Sequence, residues 1–385
     1  MAKLQWLQWL KWMLLLCLLV ASVLVHAHES HDPSSIGTAL SALKPAFEQH
    51  SLLLKSKQEE QECLEEPGLA GLHGIIPTVS QNDTTSFNFQ NLFRLDNLDT
   101  VLSQPHVDFK LVKKVMRDGK EWLGVVPPGL LKEQGPLVFY DNGYSLVINK
   151  LESQWAPVAR VARLLELEFQ LGHVSCNLYL TPPNASGFEA HWDWMDVIVL
   201  QLKGEKMWSV GKEPTVPYAT QTLKRQPSDD ELQAPRYTEF LLQHGDMLYI
   251  PRGTLHNASS LQTESLHVTF GIEPTGCLVA DWLLVCFEEE LHPLIHNASN
   301  HLSVMRRSIP FGDAWMSSTR ALFQKGLIEL KTFASTDVVD LKTLTWDEAL
   351  AGLEKLRQQV EAQRRVRWER NDALRAKVGQ SIDES

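Results

Sequence analysis

The sequence predicts a mainly β protein, a β-sandwich or small double-sheet barrel with flanking helices and a helical C-terminal region. Short apolar runs with strand periodicity, separated by Gly, Pro and Asp turns, occupy the middle of the 385-residue chain. A helical pattern precedes these runs, and helical spacing returns after Glu273. Hydrophobic residues make up 44% of the chain, which is ordinary for a soluble globular protein with a sizeable core.

The N-terminus has the pattern of a secretory signal. Lys3 and Lys11 precede an apolar run from Trp12 to Val25, and Val25-His26-Ala27 supplies the small or apolar residues that a signal peptidase reads. We expect residues 1–27 to be cleaved. The alternative is a signal anchor facing the lumen, but the apolar run is shorter than the roughly 20 residues that span a bilayer. No later stretch is apolar enough, so no membrane span is expected after cleavage.

The cysteines bear on the compartment of the protein, and the net charge bears on its possible partners. Cys17 leaves with the signal, and the remaining Cys63, Cys176, Cys277 and Cys286 permit two disulfides in an oxidising compartment without establishing them. The final compartment, the ER lumen or the outside of the cell, stays open. The net charge of −11 argues against a nucleic-acid partner.

Helices are expected on both sides of the strands. Residues 28–87 form a loosely specified lead-in, within which Ser41–Glu66 is a candidate helix. The segment Ser153–Leu171 has apolar residues at helix spacing, with Pro157 in its first turn. Downstream, Leu278–Glu290 has a helical pattern.

Six segments have the alternation, or the short buried run, that is typical of strands. Lys206–Val210 is expected to be the hairpin partner of Val197–Leu202, across the turn that contains Gly204. The other four predicted strands are Cys176–Leu180, Glu239–Leu242, Met247–Ile250 and Ser265–Ile272.

From Thr343 onward the chain predicts one long amphipathic helix. Its apolar stripe consists of Ala349, Leu353, Leu356 and Val360. Because the stripe lapses at Gln363 and Arg367, we expect the far end to be solvated. A helix of this kind is a candidate packing element or homodimer contact.

One constellation carries chemistry. His191-Trp192-Asp193 follows a predicted strand and turn, and His256 lies far downstream at the end of another strand segment. His and Asp two residues apart on a strand point to the same face, and a distant strand can add the third ligand. Two imidazoles and one carboxylate on one face of an octahedral ion are the signature of non-haem iron(II) oxygenases.

The residues around these ligands carry a family resemblance. They include Asn177-Leu-Tyr-Leu-Thr-Pro-Pro, His191-x-Asp193, Asp196 to Trp208, and Gly245-Asp-Met-Leu-Tyr-Ile-Pro-Arg-Gly-Thr-Leu-His256. This pattern, together with Arg117-Asp-Gly-Lys and Arg306-Arg-Ser-Ile-Pro310, resembles the Jumonji-C-like cupin branch that contains the ribosomal oxygenases. It covers roughly residues 88–310 and implies a double-stranded β-helix, or jelly-roll, core.

The resemblance implies a cofactor set and a domain division. His191, Asp193 and His256 match iron(II) ligands, Lys206 matches the residue that pairs with the distal carboxylate of 2-oxoglutarate, and Asn177 matches a polar residue of the cosubstrate pocket. Without the resemblance, Lys206 would be interpreted as a solvent-exposed lysine of a hairpin, and Asn177 as a residue that caps or bridges strands. The expected units are a signal (1–27), a lead-in (28–87), a JmjC/cupin catalytic domain (88–275) and a helical C-terminal region (276–385).

The expected activity is hydroxylation of a protein side chain, with dioxygen as co-reactant. A cupin that has lost catalysis and serves as a binding or scaffolding protein is the alternative, and lysine demethylation shares the same chemistry. The signal makes a ribosomal substrate improbable, and the bulky Trp192 and Trp194 are expected to reshape the substrate mouth.

Sequons at four positions fit a secretory route. We expect glycans at Asn82, Asn184 and Asn297. Asn257 adjoins the ligand His256, where a glycan would be hard to accommodate, so we expect it to be unmodified.

Overall fold

The structure is a computed structural model that describes residues 52–54, 108–154, 156–168, 172–233, 237–287, 289–309, 316–334 and 344–383. The expected signal, the sequon at Asn82 and Cys63 lie outside the described residues. Within them, no helix is both long enough and apolar enough to cross a membrane.

Strands occupy the predicted middle of the chain. They are β1 (Leu52–Leu54), β2 (Phe109–Arg117), β3 (Lys120–Val125), β4 (Ser145–Ile148), β5 (His173–Thr181), β6 (Asp196–Lys203), β7 (Lys206–Gly211), β8 (Tyr237–Leu242), β9 (Met247–Ile250), β10 (His256–Ser260) and β11 (Ser265–Glu273). All six predicted strands are present, so the mainly β prediction is confirmed.

Helices flank these strands on both sides in sequence. They are α1 (Pro128–Gln134), α2 (Pro136–Asp141), α3 (Ala156–Glu168), α4 (Asp229–Gln233), α5 (Val279–Cys286), α6 (His292–His301), α7 (Met316–Phe333) and α8 (Trp346–Asp383). Short 3-10 turns lie at Leu151–Ser153, Gln221–Leu223, Glu289–Leu291 and Ser303–Arg306.

The strands of the described residues form two antiparallel sheets, the two layers of a jelly roll. The major sheet has the order β1-β9-β6-β11-β5-β4-β2-β3, and the minor sheet has the order β10-β7-β8. Leu52–Leu54, inside the candidate helix of the lead-in, is an edge strand that pairs with β9. Apolar side chains of β6 and β9 meet those of β7 and β8 between the sheets, in a cluster that includes Val199, Trp208 and Leu248.

The predicted hairpin between β6 and β7 is wrong. β6 pairs with β11 and β9 in the major sheet, whereas β7 pairs with β10 and β8 in the minor sheet. The turn between them therefore crosses from one layer to the other. Gly204 makes that crossing with a φ of +63°, and a Cβ there would lie 2.0 Å from the Glu264 carbonyl oxygen. Only glycine tolerates both conditions.

The outer face of the major sheet is covered by helices. Leu178 of β5 and Val268 of β11 pack against Val158 and Ala162 of α3, all buried in one cluster. The inner face of the same strands is left to line the space between the sheets, because strand side chains alternate. This alternation places Asn177, Tyr179 and Thr181 of β5 on the face opposite to Leu178, toward that space.

The C-terminal helices build a second core. Trp282 and Leu283 of α5 and Phe323 of α7 are buried with Leu353 and other residues of the predicted stripe on α8. The first half of α8 thus follows its apolar stripe, as the sequence predicts.

The far end of α8 is packed, contrary to the expectation that it is solvated. Arg364 is 8% exposed and donates to the Glu166 carbonyl oxygen at 2.9 Å. Arg367 and the indole N–H of Trp368 reach the Glu166 carboxylate at 3.1 and 2.6 Å. Polar side chains therefore replace the apolar stripe where the helix crosses α3.

Cysteines do not crosslink the described core. Cys176, Cys277 and Cys286 are free thiols. With four cysteines, two disulfides would require one bridge between two of these three. All three are free, so the arrangement with two disulfides is not formed.

Candidate metal centre

His191, Asp193 and His256 converge, as the sequence predicts. One donor atom from each of the three lies within 4.8 Å of the other two. The imidazole centroids of the histidines are 4.5 Å apart, and His256 Nε2 is 3.6 Å from an Asp193 carboxylate oxygen. Among the described residues this is the group of His, Cys, Asp and Glu side chains arranged to hold a metal ion.

Backbone hydrogen bonds hold the ligands together. His191 N–H donates to the His256 carbonyl at 3.1 Å, and His256 N–H donates to the His191 carbonyl at 2.8 Å. The two histidines thus form an isolated antiparallel bridge. Gly253 N–H donates to the Asp193 carbonyl at 2.8 Å, which ties the loop before His256 to the third ligand.

Each imidazole is oriented by a backbone carbonyl. His191 Nδ1 lies 2.8 Å from the Glu189 carbonyl oxygen, and His256 Nδ1 lies 2.9 Å from that of Thr254. A carbonyl only accepts, so each Nδ1 carries the proton and each Nε2 lone pair is left for a metal.

A buried ionic network supports the two loops that carry the ligands. Tyr249 OH donates to Asp196 at 2.6 Å, and Arg252 Nε lies 3.5 Å from the same carboxylate, with both charged side chains fully buried. Asp196 follows the His-x-Asp segment and Arg252 precedes His256, so one ion pair holds together the two chain segments that carry the ligands. Sequence reasoning missed this role, although both residues belong to the quoted motifs.

The His256 imidazole is uncharged near neutral pH, and the centre is exposed to solvent on one side. Burial, followed by the charge of His191, lowers the pKa of His256 to about 4, so its imidazole is neutral near pH 7. The His256 side chain is 5% exposed, whereas that of Asp193 is 32% exposed. The centre is therefore open to solvent on the Asp193 side, which is where a substrate can approach.

Lys206 lies inside the protein and not in solvent. It is 5% exposed at the start of β7, and its ammonium donates to Thr181 Oγ1 at 3.0 Å. Among the described residues no carboxylate pairs with it, and burial lowers its pKa to about 7. A buried ammonium with a single hydroxyl acceptor is stabilised by a bound anion.

Aromatic side chains connect Lys206 to the metal ligands. Trp208, two residues along the same strand, has its ring 6.0 Å from that of His256 and 5.6 Å from that of His267. His267 in turn stacks on Tyr179 at 4.7 Å. His267 therefore points toward the ligands from β11, and Tyr179, Thr181 and Trp208 are neighbouring residues that the sequence reasoning did not single out.

Asn177 lies on the same strand as Tyr179 and Thr181, two and four residues away, and so on the same face of β5. Its side-chain oxygen accepts a hydrogen bond from Lys150 N–H at 3.2 Å. It therefore has the strand-bridging role that the sequence left open, and its contact with a cosubstrate stays a prediction. The period of two, applied from Asn177, would have found Tyr179 and Thr181.

Trp192 and Trp194 do not line the mouth. They are 3% and 8% exposed and pack with Ala219 and Leu255 in an apolar cluster. The expectation that they reshape the substrate mouth is wrong. Trp192 and Trp194 alternate with the ligands His191 and Asp193 along the chain, so their side chains point to the opposite side, away from the metal.

Comparison with known families agrees with this geometry. Residues 151–277 match the JmjC domain family. This segment of the chain is therefore similar to JmjC domains. The predicted resemblance to the branch that contains the ribosomal oxygenases is thereby confirmed, and all five predicted metal and cosubstrate residues lie in the matched range.

Named relatives are similar to part of this chain. Human ribosomal oxygenase 1 is 33% identical over 187 residues, which are 47% of this chain and 28% of that protein. The bifunctional lysine-specific demethylase and histidyl-hydroxylase NO66 of Aedes aegypti is 30% identical over 244 residues, 61% of this chain and 36% of that protein. The chain thus spans about a third of the length of these relatives.

Among solved structures, the ribosomal oxygenase YcfD of Escherichia coli, in complex with cobalt and 2-oxoglutarate, is 17% identical to this chain. The superposition covers 82% of this chain and 77% of that one, with a TM-score of 0.38.

The residues of the candidate centre fit the expected cofactors. Two neutral imidazoles and one carboxylate are a donor set for iron(II) with open coordination positions. The buried Lys206, which has no carboxylate partner among the described residues, fits with Thr181 the distal carboxylate of 2-oxoglutarate. Trp208, two residues from Lys206 on the same face of β7, lies 6.0 Å from the His256 ring, so the two groups of residues face the same side of that strand.

Proposed function

We propose that this protein is an iron(II)- and 2-oxoglutarate-dependent oxygenase that hydroxylates a protein side chain. The observation that carries the proposal is the pairing of a three-ligand centre with a buried lysine that lacks an anionic partner among the described residues. Either feature alone has structural explanations. Together they support a bound metal ion with a dicarboxylate beside it.

The chain's own residues have separable tasks in this reaction. His191, Asp193 and His256 would hold iron(II), which supplies the activation of dioxygen when bound. Lys206 and Thr181 would hold the distal carboxylate and so orient the keto acid toward the metal. The overall reaction converts substrate, 2-oxoglutarate and dioxygen into hydroxylated substrate, succinate and carbon dioxide.

The walls of the cavity would keep water away from the reacting groups. Trp208, Tyr179 and His267 form a contiguous aromatic surface between Lys206 and His256. Exclusion of water strengthens the electrostatic interactions within a site and limits side reactions. The exposed edge of Asp193 is where the substrate side chain would enter.

The alternative is a cupin that binds or scaffolds without catalysis. Lys206 weighs against it, because a buried lysine without a counter-charge destabilises the fold unless it has a ligand. Lysine demethylation uses the same centre, and the name of the Aedes aegypti relative joins both activities. We favour hydroxylation, because the signal pattern at residues 1–27 makes histone substrates improbable.

We further propose that the reaction takes place in the secretory pathway. The support is the signal pattern and the sequons, of which Asn184 and Asn297 have exposed side chains. Asn257, in contrast, pairs with Ser209 inside the minor sheet. Glycopeptide mass spectrometry of protein secreted or retained by producing cells is expected to find glycans at Asn184 and Asn297. Glycans at Asn257, or none at any site, would contradict this compartment or the site geometry.

The decisive experiment is succinate release by the purified protein with iron(II), ascorbate and 2-oxoglutarate, with and without lumenal protein extract. We expect metal-dependent turnover that His191→Ala lowers at least about a hundredfold, as loss of a metal ligand does. His296→Ala, at an exposed position of α6, is the matched control and should retain activity. Metal-dependent 2-oxoglutarate binding without turnover in any extract would favour the binding protein instead.

A further inference from the structure

The outermost strand of the major sheet, β3, has an edge that no other strand of the described residues covers. β3 ends the order of that sheet and pairs with β2. Val126 N–H donates to the Leu111 carbonyl at 3.0 Å. Because strand backbone groups alternate in direction, Glu121, Leu123 and Val125 turn theirs to the opposite side. Among the described residues these outward groups have no hydrogen-bond partner.

The free edge of β3 also lacks the usual protection against pairing. Natural sheets protect such edges with charge, proline or a covering element. The segment Trp122-Leu123-Gly124-Val125 is uncharged and contains no proline. Trp122 is 49% exposed on one face of the strand, and Val125 is 50% exposed on the other. The edge therefore offers unpaired backbone groups with a half-exposed apolar side chain on each side of them.

The edge is already in strand geometry at its hairpin end. Asp118 and Gly119 form the two-residue turn between β2 and β3, with φ values of 53° and 75°. Two positive φ values in succession are those of a type I′ turn, the turn that matches the twist of a hairpin. Lys120 then pairs with Asp229 of α4 at 2.8 Å. An incoming chain would meet a preformed edge, which limits the entropy lost on binding.

The Val125 face of β3 leads to the metal centre. Val125 is the cross-strand partner of Val112, and a Cβ on Gly187 would lie 3.5 Å from Val112 Cγ2. In the next residue, the Phe188 ring lies 5.6 Å from that of His191. The exposed face around Val125 is thus continuous with the segment that carries the first metal ligand.

We propose that the protein substrate adds an extended segment to the β3 edge as a further strand, while its target side chain enters the metal centre. This inference rests on the proposed function, which supplies a protein substrate. β-Branched and aromatic residues at alternate positions of that segment would contact Trp122 on one face and Val125 on the other. The edge would therefore favour substrates with a stretch of strand-forming residues near the target.

A single docked strand suits this edge better than a second copy of the chain does. A stable dimer buries about 800 Å² per subunit. β3 has six residues, and its two half-exposed apolar side chains provide less than that. A docked strand needs no such area, because main-chain hydrogen bonds supply its affinity and alternate side chains supply its specificity.

Peptide binding tests the docking without turnover. A short fluorescein-labelled peptide pool has Val, Ile, Thr or Tyr at every second position and Ser, Gln or Lys between. It is titrated by fluorescence anisotropy, with manganese(II) and 2-oxoglutarate present. A matched pool with every backbone nitrogen methylated keeps the side chains but cannot donate, and it should bind at least about tenfold more weakly. An excess of the first pool should slow amide hydrogen exchange at Leu123 and Val125.

Variants of the edge separate docking from folding. Leu123→Pro removes an outward N–H that makes no bond to β2, and proline is tolerated at such edge positions. It should weaken binding of the first pool at least about fivefold, the scale of one lost hydrogen bond. Val125→Lys should weaken it similarly, because it places a charge on the edge. Val138→Lys, at an exposed position of α2, should change nothing. All three variants should keep the wild-type affinity for 2-oxoglutarate.

The inference is overturned if neither pool binds, if the methylated pool binds equally, or if Leu123→Pro and Val125→Lys both keep the wild-type affinity for the first pool. A concentration-dependent dimer in sedimentation velocity that Val125→Lys abolishes would also overturn it, in favour of a second copy on the edge. Failure of the proposed function would appear separately, as absence of succinate release while the first pool still binds β3.

Discussion

At the scale of single residues, Lys206 is stronger evidence for a bound cofactor than the three metal ligands are. Histidines and aspartates converge on many protein surfaces without a cofactor, but a lysine that is 5% exposed has few explanations. Among the described residues its hydrogen-bond acceptor is the neutral hydroxyl of Thr181, so folding leaves the ammonium in the interior without a counter-charge there. An anionic ligand would recover the lost solvation, and a dicarboxylate reaching the neighbouring metal is such a ligand.

Lys206→Met should remove cosubstrate binding without harming the fold. Methionine keeps the length of the side chain and deletes the buried charge, so the thermal midpoint should stay equal or rise. Loss of one partner of a buried charge pair costs about 2–5 kcal/mol, which predicts a Kd for 2-oxoglutarate at least about thirtyfold higher. Isothermal titration with manganese(II) present measures it. Lys203→Met, in the partly buried pair with Glu264, is the control, and an equal loss there would contradict the assignment.

The same lysine predicts a pH dependence. Burial lowers the pKa of Lys206 to about 7, and only the ammonium form pairs with a carboxylate. The Kd for 2-oxoglutarate should therefore be flat below about pH 7 and rise up to about tenfold per pH unit above it. Without cosubstrate, the unfolded chain binds more protons between pH 7 and 10.5, so the stability contributed by this residue rises with pH in that window. A pH-independent Kd in the wild type, or an unchanged slope in Lys206→Met, would contradict this.

At the scale of elements, local patterns predicted the strands and the first helices correctly, because alternation and helix spacing are set by nearby residues. The pairing of β6 with β7 was not predictable in this way. A short turn between two strands usually forms a hairpin, and only the packing of β11 beside β6 shows that the chain changes layers at Gly204. The metal ligands were found because their spacing and context carry chemistry. Tyr179 and Asp196 were not, because their roles depend on contacts between distant segments.

The packing of the far half of α8 also could not be predicted from local sequence patterns. Its sequence has no apolar stripe beyond Val360, which indicates a solvated helix when only periodicity is considered. In the structure the arginines of this half meet Glu166 on α3, whose carboxylate also accepts from Val174 N–H at 3.0 Å and from Trp368 at 2.6 Å. A hydropathy pattern cannot show that polar side chains have buried partners on another element.

Glu166→Ala should detach this half of α8. Burial favours the neutral acid, but His173, the Val174 N–H and Arg367 together hold the pKa of Glu166 below its usual range. The carboxylate therefore contributes stability above about pH 4.3, and that contribution is lost as pH falls. At pH 7 its removal takes the carboxylate away from the partly buried Arg367, whose other acceptor is the Gly172 carbonyl, and should cost about 3–5 kcal/mol in urea unfolding. Glu361→Ala, at an exposed position of α8, should cost less than about 0.5 kcal/mol. Equal effects of the two changes would show that the network does not anchor the helix.

At the scale of the whole molecule, α8 joins two cores that the sequence separates into different regions. Leu353 and Leu356 are buried among α5, α6 and α7, whereas Val360, one turn later, is buried in the cluster on the outer face of the major sheet. The jelly roll thus packs against a helix that lies well beyond the end of its last strand at Glu273. A helix that lies in both cores couples their unfolding, because neither core keeps its full set of contacts without it.

Leu356→Ala tests this coupling. Leu356 is 4% exposed in the helical core, and truncation of such a side chain costs about 2–5 kcal/mol. Since the helix continues into the jelly roll, we expect amide hydrogen exchange to speed up by a similar factor in α5 and in β11, and urea unfolding to keep a single transition. Val366→Ala, at a position that is 66% exposed, is the control and should leave both regions unchanged. Faster exchange in α5 with unchanged exchange in β11, or two separate transitions, would show that the jelly roll folds independently of the C-terminal helices. The metal centre, held by β10 and the loop before β6, would then be insensitive to α8.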